Sequence, residues 1–187
     1  MRKANYFLLG LLISAALLMV GCSDESEAAN KLVDEGNALI KKNEELAAKA
    51  MTAAQSLPTM NEDAMEDLDK FKADSQKKFD ELATMYTEFE KNYNDASSKF
   101  DQASKLKVDE KFKEYTSVKA QELKKRAEIG KVSAAYFKTG MSGEPDKAAA
   151  AGADFTKKVS DLTKEADDLS KKADKITKDN PSVFKTN

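Results

Sequence analysis

Histidine and tryptophan are absent from this chain of 187 residues, and cysteine occurs once, at Cys22. Without His, the chain lacks the imidazole used in catalytic triads, in many zinc sites and in switches near neutral pH. A single Cys excludes an internal disulfide and a thiolate cluster. The seven glycines are scattered, so no Gly-rich phosphate-binding loop is present. The sequence therefore predicts a protein that is not an enzyme, with no catalytic residue, no cofactor and no metal site.

The first 21 residues have the pattern of an export signal. Arg2 and Lys3 precede an apolar run over residues 6–20. The 15 residues of that run are fewer than the roughly 20 that a membrane-spanning helix needs. A basic start, a short apolar run and a small residue at its end are typical of a secretory signal peptide. We therefore expect residues 1–21 to be removed from the mature protein.

The end of this signal is Met19-Val20-Gly21-Cys22, followed by Ser23. This segment resembles the lipobox of bacterial lipoprotein precursors, with Met19 where Leu is usual and Val20 where a smaller residue is commoner. The resemblance implies cleavage between Gly21 and Cys22, and a diacylglycerol on the Cys22 sulfur. Two acyl chains hold a protein on a membrane where a single chain barely does. The alternative for Cys22 is an ordinary small apolar residue at the end of a membrane anchor.

The lipobox resemblance covers residues 1–22 only, and it implies a lipid-anchored protein of the bacterial cell envelope. In Gram-negative bacteria, Ser23 after the Cys permits sorting to the outer membrane, where the protein faces the periplasm or the cell surface. The membrane is then a partner through Cys22.

Large apolar side chains are scarce in the mature chain. Leu, Ile, Val and Phe make up about 16% of residues 22–187, below the roughly 20% at which disorder becomes common. The net charge is small, however, because 29 basic residues face 33 acidic ones. Ala, Glu, Lys, Leu and Arg together make up about 48%, which is typical of long helices. Arg126 is the sole mature arginine and the lysines are interleaved with acids, so we expect no nucleic-acid partner.

Apolar residues alternate at spacings of three and four over most of the mature chain. This repeat of 3.5 residues indicates helices that pack with a left-handed supercoil. We predict an all-α fold, an elongated antiparallel bundle or coiled coil of four helices at about 28–56, 60–104, 109–138 and 145–178. Residues 22–29 are expected to form a flexible tether, 30–180 the bundle domain and 181–187 a loose tail. The residues predicted to form the core seams are Leu39, Leu46, Phe79, Leu82, Tyr86, Phe89, Tyr93, Phe100, Phe155, Leu162 and Leu169.

The second seam fails after Ala103, where its continuation would bury charged residues. We interpret residues 104–108 as a tight turn, with Asp109 as the next N-cap. A continuous helix with a phase slip is the alternative. Helix lengths and short loops place the first helix along the early part of the second, and the third and fourth along its later part.

Two features of the seams could bind a ligand. The aromatic stripe from Phe79 to Phe100 could line an apolar cavity, although aromatic side chains at this spacing more often fill a core. Asn43 could bind a ligand, although a single buried Asn more often fixes the register of packed helices. The acidic clusters around residues 62–69 and 161–168 lie mostly off the seams and are expected to be solvated.

These features predict a non-enzymatic, lipid-anchored helical bundle that acts as a structural spacer or as a docking surface for another protein. We therefore expect a protein partner. Self-association is possible, because 3.5-residue seams also form dimers. The alternative function is a binding module that holds a lipid or another apolar ligand along the aromatic stripe.

Overall fold

A computed structural model describes residues 24–59, 66–139 and 145–184, and in these ranges the chain forms helices and turns without a strand. The helices are α1 (Asp24–Gln55), α2 (Leu68–Ser104), α3 (Glu110–Thr139) and α4 (Pro145–Asp179). The prediction of an all-α fold with four helices is confirmed.

The turn between α2 and α3 lies where the seam fails. Lys105 donates its backbone N–H to the carbonyl oxygen of Gln102 at 3.1 Å, which closes α2. The Asp109 side chain accepts the backbone N–H of Lys111 at 2.7 Å, as an N-cap does. The predicted turn and cap are confirmed, and the alternative of one continuous helix is wrong.

Two helix starts differ from the prediction. α1 already begins at Asp24, so residues 24–29 are helical although they were expected to belong to a flexible tether. α2 begins at Leu68, after Asp67, whose side chain accepts the backbone N–H of Lys70 at 3.0 Å. An Asp at an N-cap satisfies a free backbone donor and suits the positive end of the helix. Residues 60–65, where α2 was expected to start, lie outside the described residues.

The helices run antiparallel, and each packs along the next one in the chain. Extensive contacts join α1 to α2, α2 to α3 and α3 to α4. α3 therefore has covered surface on two sides, while α4 packs mainly against α3. This explains why the seam of α4 is partly exposed along most of its length.

α1 lies along the later part of α2, so its predicted placement beside the early part is wrong. Gly36 lies against Phe100, and Ala53 packs in one cluster with Leu82. α1 ends at Gln55 and α2 begins at Leu68.

The predicted seams face the core, but most of their side chains are covered incompletely. On α1, Val33 and Ile40 are buried beside the predicted leucines, because the helix is rotated slightly toward α2. Three of the eleven predicted core residues are buried: Leu82, Tyr93 and Phe100. The other eight are half-buried: Leu39, Leu46, Phe79, Tyr86, Phe89, Phe155, Leu162 and Leu169.

The C-terminal segment is not loose over residues 181–184. Val183 donates its backbone N–H to the carbonyl oxygen of Asn180 at 3.0 Å. The ring of Phe184 lies 5.3 Å from that of Tyr115 and 6.4 Å from that of Phe112, between centroids. The half-buried Phe184 ring packs against α3 and holds this turn there, which corrects the prediction of a loose tail for residues 181–184. Residues 185–187 lie outside the described residues.

α2 and α3 approach each other closely at Gly130. A methyl group placed there would lie 2.8 Å from the backbone nitrogen of Glu90 and 3.1 Å from the carbonyl oxygen of Tyr86. Backbone atoms cannot rotate away, so only glycine fits at this crossing without separating the helices.

We expect Gly130→Ala to lower the free energy of unfolding by about 1–3 kcal/mol, as overpacking does in other cores. Gly152→Ala is the matched control, because its methyl group would meet only the Tyr136 hydroxyl, at 3.6 Å. That control should raise stability by about 0.5–1 kcal/mol through helix propensity. Urea unfolding of both variants checks the pair, and equal effects would show that the crossing tolerates a side chain.

Candidate functional site

The predicted lipidation site, Cys22, and the predicted cleavage site between Gly21 and Cys22 lie outside the described residues. The first described residue, Asp24, is two positions after Cys22 and is already helical. Among the helices that the structure describes, none is long and apolar enough to cross a membrane.

Asn43 lies at the interface of α1 and α2 and is completely buried. Its Nδ2 atom donates to the carbonyl oxygen of Phe89 at 3.0 Å, and its Oδ1 atom accepts from Asn92 Nδ2 at 3.0 Å. Both polar ends of the amide are thus satisfied by α2. These bonds can form at only one register of the two helices, which agrees with the interpretation of Asn43 as a register residue.

A cluster of charged side chains lies inside the bundle on α3. Glu122 is 0% exposed, and its two carboxylate oxygens accept from Lys119 Nζ at 2.7 Å and from Arg126 Nε at 2.8 Å. Lys119 is itself only 7% exposed. A buried carboxylate is tolerated only with such partners, because isolated burial of a charge is very costly. We call Lys119, Glu122 and Arg126 the α3 charge cluster.

The α3 charge cluster extends to α4. Arg126 Nη2 lies 3.7 Å from Asp167 Oδ1. One residue earlier, Lys125 Nζ lies 2.9 Å from Glu165 Oε2 and 3.3 Å from Glu128 Oε2. The pair with Glu165 joins α3 to α4, whereas the pair with Glu128 lies within α3. Both are partly exposed and contribute little to stability individually.

Two tyrosines lie near these charges. Burial raises the pKa of the Tyr93 hydroxyl to about 12, although the nearby Arg126 guanidinium opposes the rise. Burial also raises the pKa of Tyr115, and the Glu122 carboxylate adds to the effect. Both phenols therefore stay protonated and neutral at physiological pH, so neither is suited to act as a base.

The aromatic stripe of α2 is part of a larger cluster that also includes α3 and α4. Tyr136 and Phe155 stack with centroids 4.2 Å apart and planes at 8°, and Tyr86 stacks on Phe137 at 5.5 Å. Phe137 contacts more rings than any other member. We call this set the aromatic cluster, and its members are Phe79, Tyr86, Phe89, Tyr93, Tyr136, Phe137 and Phe155. Phe100, at the end of the predicted stripe, packs instead in the core cluster that joins α1, α2 and α3.

The two acidic clusters, around residues 62–69 and 161–168, differ in their exposure and in their ion pairs. Glu66, Asp67 and Asp69 are exposed near the start of α2, while residues 62–65 lie outside the described residues. In the second cluster, Glu165 and Asp167 pair with basic residues of α3. Within the described ranges, no group of three or more Cys, Asp or Glu side chains is close enough to hold a metal ion.

Sequence reasoning missed Glu122 and Lys119 as buried residues and Phe137 as the centre of the aromatic cluster. Charged residues on a helix were expected to face solvent, but α3 is covered by two neighbours. The sequence does show ion-pair spacing, since Lys119 lies three residues before Glu122 and Arg126 lies four residues after it. Phe137 directly follows Tyr136 and widens the apolar face of α3 toward α2.

Comparison of the chain with protein-family models, with curated proteins and with solved structures gives no match.

Proposed function

We propose that this chain is a non-enzymatic, lipid-anchored protein of the bacterial cell envelope, which acts as a structural spacer or as a docking surface for another protein. The observation that carries the proposal is the lipobox-like segment Met19–Cys22 directly before a helical domain that starts at Asp24. The anchor supplies membrane attachment, and the bundle supplies length and a stiff surface.

The dimensions of the bundle support a spacer. The 37 residues of α2 span about 55 Å at 1.5 Å per residue. α1 and α3 pack along this helix, and a packed bundle bends much less than a single chain. Such a rod separates its anchored end from its other end by more than the thickness of a bilayer's hydrocarbon core.

The far end of the rod supports a docking role. Met51, near the end of α1, is 57% exposed, and Leu68, at the start of α2, is 43% exposed. Both residues lie toward the end of the bundle that is opposite to the first turn of α1. Elsewhere, exposed lysines and acids alternate along the helices, which keeps the surface hydrated.

The alternative, an apolar ligand held along the aromatic cluster, requires the rings to separate. Tyr136 and Phe155 stack 4.2 Å apart, a distance that leaves no room for a ligand between their faces. Ring–ring packing therefore favours the spacer or docking role over a ligand carrier.

Cys22→Ser tests the anchor. We expect it to abolish incorporation of labelled palmitate and to leave the precursor uncleaved, because only a thiol can receive the diacylglycerol at this position. Intact-mass analysis of the membrane fraction measures both effects. Ser26→Ala serves as the control, since it lies just after the segment and should be lipidated normally. Normal palmitate incorporation in Cys22→Ser would contradict the proposal.

A further inference from the structure

The antiparallel arrangement brings three segments to one end of the bundle. Glu25 in the first turn of α1 accepts the backbone N–H of Lys107 in the α2–α3 turn. Phe184 of the C-terminal turn contacts Phe112 in the first turn of α3. We call these segments, residues 24–29, 105–109 and 180–184, the proximal end.

The proximal end is tied closely to Cys22. Only Ser23 separates Cys22 from Asp24, so the Cα atoms of Cys22 and Asp24 are at most about 7 Å apart in any conformation. Whatever the tilt of the rod, a lipid on Cys22 holds this end next to the headgroups. A flexible tether over residues 22–29, as predicted from the sequence, would instead have allowed a separation of up to about 27 Å.

The two turns at the proximal end have the composition that suits a lipid–water boundary. Leu106 and Val108, with Val183 and Phe184, are half-buried and pack against the core cluster. Lys105, Lys107 and Asp109 beside them are exposed, and Lys105 Nζ lies 2.6 Å from Asp101 Oδ2. Apolar side chains below long lysine side chains fit the interface, since lysine stems cover apolar surface while their ammonium groups reach water.

The long sides of the rod lack such a composition. The outward positions of α1 and α4 carry exposed Lys, Asp and Glu in alternation, including Lys41, Glu45, Lys158 and Asp161. A flat orientation would place these mixed charges against the headgroups without burying a comparable apolar surface.

We infer that the proximal end is a membrane-contacting surface: the α2–α3 turn and the C-terminal turn rest on the lipid headgroups, and the rod stands away from the membrane. This inference rests on the proposed lipid anchor. It goes further in naming the surface that contacts lipid, residues 105–109 and 180–184. It also places the aromatic cluster, and the far end of the rod where Met51 lies, away from the bilayer.

Site-specific quenching tests the inference. Full-length protein is purified in its acylated form, and the acyl groups are confirmed by intact mass. Lys107→Cys, Ser182→Cys and Lys138→Cys are then labelled with an environment-sensitive dye, because the acylated Cys22 sulfur cannot react. The three proteins are reconstituted into phosphatidylcholine vesicles that contain a lipid with a quencher in the headgroup region.

We expect loss of fluorescence at residues 107 and 182 and no loss at residue 138, which lies near the opposite end of α3. Equal loss at all three positions would mean that the rod lies flat, and loss at none would mean that the end does not touch lipid. Either result overturns the inference while acylation, measured separately, still supports the anchor. Absence of acyl groups from the purified protein would instead overturn the anchor, and the inference with it.

Discussion

Replacing Glu122 by Gln is expected to lower the free energy of unfolding by about 3–5 kcal/mol, the range found when one partner of a buried ion pair is removed. The substitution keeps the shape of the side chain and removes its charge. Lys119 and Arg126 then remain close together, with Lys119 buried and no carboxylate between them. Urea unfolding followed by far-UV circular dichroism measures the effect.

An exposed pair with the same spacing provides the control. Lys78 and Glu81 are also three residues apart, with Nζ and Oε2 3.0 Å from each other, but both side chains are partly open to water. Glu81→Gln should change stability by no more than about 0.5 kcal/mol, as most surface substitutions do. Effects of equal size at residues 81 and 122 would show that water reaches the α3 charge cluster and compensates its charges.

A triple variant separates the two ways in which the cluster can contribute. Lys119→Met, Glu122→Leu and Arg126→Met together replace the cluster by apolar side chains. Well-packed apolar replacements of buried ion pairs are often neutral or stabilising. We therefore expect the triple variant to be more stable than Glu122→Gln alone. If it is as unstable as the single variant, the ion pairs contribute stability to α3 that apolar packing does not replace.

The helices, the α2–α3 turn and the cap at Asp109 could be predicted because their signals are local. An alternating seam, its failure after Ala103 and an Asp before the next apolar run all lie within a few turns of the chain. The start of α2 was harder to predict, because several polar residues near Asp67 could also serve as its N-cap. Choosing between them requires the contacts that α2 makes elsewhere.

Burial and register depend on contacts between distant segments, and they were predicted less well. Val33 and Ile40 are buried more completely than Leu39 because α1 turns its small and β-branched side toward α2. Glu122 is buried because α2 and α4 both cover α3. An amphipathic pattern, in contrast, predicts one buried face and one solvent-exposed face. The placement of α1 along the later part of α2 likewise follows from contacts between distant residues, such as that of Ala53 with Leu82.

The packing of Gly36 against Phe100 illustrates such a contact. A methyl group at residue 36 would lie 2.7 Å from Phe100 Cε2, and Phe100 is completely buried. The ring therefore has little freedom to move aside. Glycine in the α1 seam, which weakens the isolated helix, is explained by the size of the ring that it faces.

A double-mutant cycle tests this explanation. Phe100→Ala alone should cost about 3–5 kcal/mol, as large aromatic deletions do, and Gly36→Ala alone about 1–3 kcal/mol through overpacking. In the double variant, the space left by the ring accepts the new methyl group. The combined loss should then be smaller than the sum of the single losses, by about 0.5–3 kcal/mol.

The same cycle with Phe155 in place of Phe100 is the control. Phe155 is half-buried on α4 and packs against Tyr136 and Phe137, so it shares no neighbour with Gly36. Losses at residues 36 and 155 should add to within about 0.5 kcal/mol. Additivity at residues 36 and 100 as well would mean that α1 and α2 separate easily at this point. The register of the two helices would then depend on other contacts, such as the Asn43 hydrogen bonds and the Glu35–Lys99 ion pair, rather than on the fit of the ring against the glycine.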